Sequence, residues 1–278
     1  MSTYTGGMGD GYFEDGDLIR MVGREGLLIA SGGATSLLQT AHPKIAQGVY
    51  EHSYTARDPL GRLRGTMQWV YAVEFGSREE AERLSSVVRR MHAGVTGEGY
   101  RADDPELQVW VAATLFATAV HAYRLFFREF TREELEAYYE QSKVFATTLG
   151  CPYATMPATY EDFREYYART LAALRISDAS RAIAHQVLHP RLPGGRLNEP
   201  ALAAIRLLTV GLMPEPIRRQ YGWRWDRARR VRFHLLARSL RLAYPRLPLP
   251  IRTLPRDYYL YDLRRRLPGT RQAAARVA

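Results

Sequence analysis

Apolar residues along this chain recur every three or four positions. Nowhere do they alternate with polar residues long enough to make a strand, so the expected periodicity is helical throughout. The pattern begins from Asp17 to Leu28 and from Gly33 to Gln39, punctuated by Gly32-Gly33, and Ala46 to Tyr54 reads as a further short helix. Asp58-Pro59 supplies an N-cap and a proline at the first helical position, opening a helix to about Phe75. Gly76-Ser77 ends it, and Ser77 with Glu80 forms a capping box for the next helix. That helix carries Leu84, Val87, Val88, Met91 and Val95 on one stripe and ends near Gly97.

Residues 98–104 read as a loop, after which Asp104-Pro105 starts a long apolar helix to about Phe130. Thr131 with Glu134 and Thr159 with Asp162 are further capping boxes, for helices to about Leu149 and Leu174. Ser177 to Val187, Asn198-Glu199-Pro200 to Gly211, a short helix from Pro214, and Asp226 to Ala243 complete the series, with a turn from His189 to Pro193. The fold class is therefore all-α, with roughly ten helices in a single multi-helix domain. We expect a flexible N-terminus over residues 1–16, the domain over 17–244, and a Pro/Arg-rich C-terminal tail over 245–278.

Composition narrows the function classes. A chain of 278 residues that is 46% hydrophobic can bury a substantial core. The lone cysteine, Cys151, excludes an intramolecular disulfide and any multi-cysteine metal centre, and its turn setting reads as a structural thiol. The net charge of +10 is carried by arginine, since Lys44 and Lys143 are the only lysines, and it concentrates in the C-terminal third. That balance keeps a basic all-α binding protein, docking on nucleic acid or an acidic membrane surface, as the alternative class. No helix-turn-helix signature is placed to read bases, so no specific nucleic acid is expected. Leu107 to Tyr123 is weakly charged but contains Gln108, Thr114, Thr118 and His121, which suits a buried core helix better than a transmembrane segment. The N-terminus lacks a basic-then-apolar secretion pattern, and a cytoplasmic protein is expected.

The candidate chemistry sits on two consecutive helices. Arg62 and Thr66 are four residues apart and share a helix face, and His92 lies on the next helix, which can face it. A cavity between them would have an imidazole on one wall and a cationic, hydroxylated wall opposite, which suits an iron porphyrin better than a hydrolytic triad. Each residue also has a bland reading: His92 as a core histidine bonded to a carbonyl, Arg62 as a solvated cation, Thr66 bonding back to its own helix. Two features favour the first reading. Val88 and Val95 flank His92 with small Ala93 and Gly94 beside it, and Trp69, Val70 and Val73 make the Arg62 face apolar one turn on. His52 and His121 read as core or pocket-lining residues, and the His185–His189 pair lacks a companion Glu motif.

Several blocks carry a resemblance: Gly48-Val49-Tyr50-Glu51-His52-Ser53, Pro59 with Arg62 and Thr66, Phe75-Gly76-Ser77, His92-Ala93-Gly94-Val95-Thr96-Gly97, Tyr100, Asp104-Pro105 with Leu107, and Trp110-Val111 with Thr114-Leu115. In this order and spacing the chain resembles the MpaB-type and rubber-oxygenase (latex clearing protein) family over roughly residues 20–240. The resemblance implies an all-α fold with a globin-like core and a haem b cofactor whose iron is held by His92 as proximal ligand. It implies Arg62 and Thr66 as catalytic residues on the distal side; by their spacing beside Thr66 and His92, Trp69 and Val88 are expected as further cofactor-binding positions. The implied activity is a haem-dependent oxygenase acting with dioxygen on a hydrophobic small molecule; a non-catalytic haem-binding protein is the alternative. Rubber-cleaving members can carry a lysine just before the threonine, where this chain has Gly65. Arg89, Arg124 and Arg128 are the candidate partners for haem propionates.

Overall fold

A computed structural model describes residues 10–52, 59–190 and 198–266. The expected N-terminal flexibility of residues 1–9, Ser53, the Asp58 cap, the turn from 191 to Pro193 and tail residues 267–278 lie outside the described residues. The protein is a single all-α domain with one small hairpin. Its helices are α1 (Leu18–Gly23), α2 (Gly32–Gln39), α3 (Pro43–His52), α4 (Pro59–Phe75), α5 (Arg78–Ala93), α6 (Pro105–Phe126), α7 (Arg132–Ser142) and α8 (Val144–Thr147), followed by α9 (Tyr160–Ala173), α10 (Asp178–Leu188), α11 (Glu199–Leu212), α12 (Glu215–Gln220), α13 (Arg227–Ala243) and α14 (Leu249–Arg266). The hairpin pairs β1 (Thr96–Gly97) antiparallel with β2 (Tyr100–Arg101).

Helix α6 is the spine of the core. It is 22 residues long and apolar enough to cross a membrane by length and composition, yet 56% of its most apolar stretch is buried inside the protein. Trp110 at 1% exposure donates its indole N–H to the Leu38 carbonyl of α2. Phe116 sits among the rings of Tyr138, Tyr139, Tyr160 and Phe163, with centroids 4.9–6.0 Å apart. Edge-on and tilted contacts of this kind lock α7 and α9 to α6 beyond the burial of area alone.

The three predicted capping boxes are present: Ser77, Thr131 and Thr159 each accept from the backbone N–H three residues on, and Glu80, Glu134 and Asp162 return the bond. Other boundaries differ for local reasons. The helix expected to reach Gly97 stops at Ala93, because Gly94 closes it and the chain turns into the hairpin, where Gly99 takes φ +75°. The helix expected from Thr131 to Leu149 breaks at Lys143, whose buried ammonium is held by Glu140 and the Ala158 carbonyl, each at 2.8 Å.

The larger difference is at the C-terminus. Of the segment expected as a tail, residues 249–266 form α14, which packs along α4. Thr253, Leu260 and Leu263 face inward. Gln68 donates to Asp262 at 2.9 Å, the rings of Tyr71 and Tyr259 stack at 6.0 Å, and Arg264 meets the buried Glu80 at 2.8 Å. Proline density reads as a tail in one dimension, whereas here it marks a helix start and one internal Pro255.

Candidate functional site

The site is built on the α4–α5 hairpin, and its register is set by one buried bond. Trp69 donates its indole N–H to Ser85 Oγ at 3.0 Å, with Ser85 fully buried and the Trp69 ring tilted against Phe145 of α8. Two antiparallel helices pinned there bring Thr66 level with Val88 one turn on and Arg62 level with His92 two turns on, about 10 Å from the pin. By helical spacing Arg62, Thr66 and Trp69 share one face of α4, and Ser85, Val88 and His92 one face of α5. Burial falls along the hairpin from Trp69–Ser85 towards Arg62 and His92: Trp69 is buried, Val88, Arg62 and His92 are half-buried, and Thr66 is exposed. Arg62 also makes a polar interaction of its own.

At this end of the hairpin α4 is bare. Among the described residues a Cβ at Gly65 would meet no heavy atom within 4 Å, and Leu63 on α4 and Val87 and Met91 on α5 expose apolar side chains. His92 lies one residue from the end of α5, with its Nδ1 buried and without a hydrogen-bond partner among the described residues. Desolvation lowers its pKa from the usual histidine value, partly opposed by Asp103, so the imidazole is neutral at physiological pH.

The hairpin forms the adjoining wall. The ring of Tyr100 lies over Gly97, where an added Cβ would come within 2.4 Å of it, and Gly48 of α3 approaches the same ring. Tyr100 donates to Glu51, and His52 Nε2 lies 3.1 Å from the Tyr100 hydroxyl, so His52 bonds a side chain here. Arg101 grips Asp103 through two bonds of 3.0 and 2.9 Å. Tyr100, Arg101 and Asp103, with Gly97, Gly99 and Pro105, line an open groove of about 620 Å³.

Sequence reasoning had no signal for Asp103 and passed over Ser85. The latter was discoverable, as a small polar residue on an apolar stripe of α5 facing a helix with a tryptophan. The three arginines expected to meet propionates are committed elsewhere. Arg89 donates to the Thr148 carbonyl, Arg124 pairs with Glu129 at 2.9 Å, and Arg128 makes a two-bond pair with Glu134 at 2.7 Å. Arg124 and Arg128 also lie at the far end of α6, roughly 30 Å along its axis from Pro105 and the hairpin. His121 is exposed in a groove between α6 and α9, and the His185 and His189 rings lie 5.0 Å apart at the end of α10. Among the described residues no three His, Cys, Asp or Glu side chains form a metal-binding group.

The fold and site define an all-α protein whose α4–α5 helical hairpin carries a half-buried histidine level with an Arg-x-x-x-Thr face. The chain belongs to the family described as ER-bound oxygenase mpaB/B'/rubber oxygenase, catalytic domain, which it matches over residues 19–242. An uncharacterized protein of Mycobacterium bovis and an uncharacterized protein of Mycobacterium tuberculosis are each 26% identical over 240 residues, covering 83% of this chain and 94% of the relative. No solved structure matches the chain at a significant level. The family is one of oxygenases, which supports an oxidoreductase activity for this protein.

Proposed function

We propose that this protein is a haem b-dependent oxygenase acting with dioxygen on a hydrophobic small molecule, with His92 as proximal iron ligand and Arg62 and Thr66 on the distal side. The observation that carries the reading is the buried, unpartnered Nδ1 of a neutral imidazole at the less buried end of the α4–α5 hairpin, in a chain of an oxygenase family. An orphaned buried nitrogen is costly unless a ligand, metal or neighbouring group makes use of the ring, and a neutral imidazole is the form that ligates. The bare flank at Gly65 leaves room for a flat macrocycle beside α4.

Bound there, haem b would supply the activation of dioxygen. The chain's own residues do the rest. Arg62 is a permanent cation whose N–H donors favour negative charge developing near it. The Thr66 hydroxyl both donates and accepts, so it can hold or pass a proton at Oγ1. The Trp69–Ser85 bond closes the inner end of the cleft against water. Leu63, Val87 and Met91 offer an apolar approach for the substrate.

The test is an optical spectrum of the full chain expressed with haem supply, oxidised and then reduced. A Soret band that disappears in His92→Ala is expected. Absence of the band, or undiminished haem in His92→Ala, rules the reading out. Oxygen uptake with isoprenoid or aromatic compounds then separates an oxygenase from a haem-binding protein without turnover.

A further inference from the structure

The chain's positive charge is confined to one region. Residues 223–266 hold thirteen arginines against three aspartates, with neither lysine nor glutamate, whereas residues 1–222 hold 24 basic and 26 acidic side chains. In that same region lie most of the large apolar side chains that the fold leaves uncovered. From Arg241 to Ile251 every residue but Tyr244 is exposed, including Leu242, Leu247, Leu249 and Ile251. On α14 the stripe Ile251, Leu254, Tyr258, Tyr261 runs at helical spacing opposite the inward Thr253, Leu260 and Leu263, with Leu254 63% and Tyr261 62% exposed. Arg238, Arg241, Arg246 and Arg265 are exposed around it.

We propose that the α13–α14 corner docks this protein on an anionic lipid surface, with Leu247, Leu249, Ile251 and Leu254 entering the apolar layer and the flanking arginines meeting lipid phosphates. Four arguments select this occupant. Charge is complementary to a phosphate-bearing surface, and guanidinium binds phosphate through paired donors. The continuous exposure of residues 245–251 describes a protruding corner, which enters an interface and does not receive a ligand. Pro245, Pro248 and Pro250 carry no N–H, which removes donors that would otherwise be stranded in hydrocarbon. Tyr258 and Tyr261 are placed for the headgroup level, where a ring with a polar tip is stable.

Other occupants fit less well. A second copy paired through a two-fold axis would set these arginines against themselves. Nucleic acid matches the charge but leaves the exposed leucines without a role. This inference is independent of the haem reading, since none of its residues belongs to the α4–α5 cleft.

The test uses the full chain in sedimentation with phosphatidylcholine vesicles, with and without phosphatidylserine, at low and high salt. The expected result is binding to the anionic vesicles that weakens with salt, each arginine at the surface contributing roughly a fivefold factor at low salt. Leu249→Ser, Ile251→Ser and Leu254→Ser combined, and separately Arg238→Gln, Arg241→Gln and Arg246→Gln combined, should each lower it at least roughly tenfold with helicity by circular dichroism unchanged. Should a combined variant fail to fold, Ile251→Cys labelled with a polarity-sensitive dye serves instead, and its emission should shift to the blue on anionic vesicles. Four results would overturn the proposal. They are binding that survives the serine set, a dye that reports no apolar environment, a dimer that the serine set dissociates while vesicles go unbound, and selective association with DNA or an acidic protein in place of lipid.

Discussion

The indole nitrogen of Trp69 and the hydroxyl of Ser85 lie 3.0 Å apart in the core, and this bond sets which residues of α4 stand level with which residues of α5. Removing Ser85 Oγ strands a buried N–H donor. Ser85→Ala is therefore expected to lower stability by about 1–3 kcal/mol, read as a shift in the urea midpoint, while Ser85→Thr is limited by the tight site. If the bond also positions His92, Ser85→Ala will alter the optical spectrum of the haem-loaded protein. An unchanged midpoint would show that a water replaces the partner.

Gly65 offers two independent readouts. It sits inside α4, exposed, with open space where a Cβ would go. Gly65→Lys should stabilise the helix by about 0.5–1 kcal/mol, seen as a raised thermal midpoint with or without haem. With haem bound at His92, a lysine here is expected to change the ferric spectrum, because its amine adds a possible iron ligand one residue before Thr66. The first effect without the second would place the distal face away from α4.

The Glu74 carboxyl is buried, its Oε2 without a hydrogen-bond partner among the described residues, pressed against Gly23 of α1. Desolvation holds its pKa well above 4.5, against a weaker pull from Arg20. The folded protein thus keeps a proton that the unfolded chain loses near the ordinary carboxylate value. Stability from this group is full below that value and declines as pH rises towards the folded pKa. Glu74→Gln, which keeps the shape without the charge, should raise the thermal midpoint more at about pH 8 than at about pH 5. Equal shifts at both would mean that the carboxyl ionises normally.

Arg252 of α14 meets Glu25 through a pair of bonds, one of 2.9 Å, across 227 residues of sequence, and the Glu25 side chain is 2% exposed. Arg252→Ala leaves a buried carboxylate with only Arg24 at 3.6 Å. The expected cost is about 3 kcal/mol, at the low end for a broken buried pair because Arg252 keeps some solvent contact. Replacing both partners, Glu25→Gln with Arg252→Met, should restore most of it. Truncation after Tyr244 is expected to be worse, since Glu80 also loses Arg264.

Much of the fold was legible along the chain because its signals are local. Ser77, Thr131 and Thr159 each bond within three residues, and the apolar spacing of α5 and α6 repeats within two turns, so class and most element starts follow from sequence. The pairing of α4 with α5 was legible too, because the short Gly76-Ser77 connection leaves consecutive helices little choice but to pack together. What only the tertiary structure decided are the relations between residues far apart in the chain. The proline-rich segment after 245 becomes a helix because Asp262, Arg264 and Arg252 find Gln68, Glu80 and Glu25, none within 180 residues of its partner. Arg124 and Arg128 lie far from the β1–β2 hairpin because the 22 residues of α6 run between them, and Trp69 meets Ser85 in the core while His92 is only half-buried. Local energies choose helices, whereas long-range contacts choose which faces are covered and which are left open.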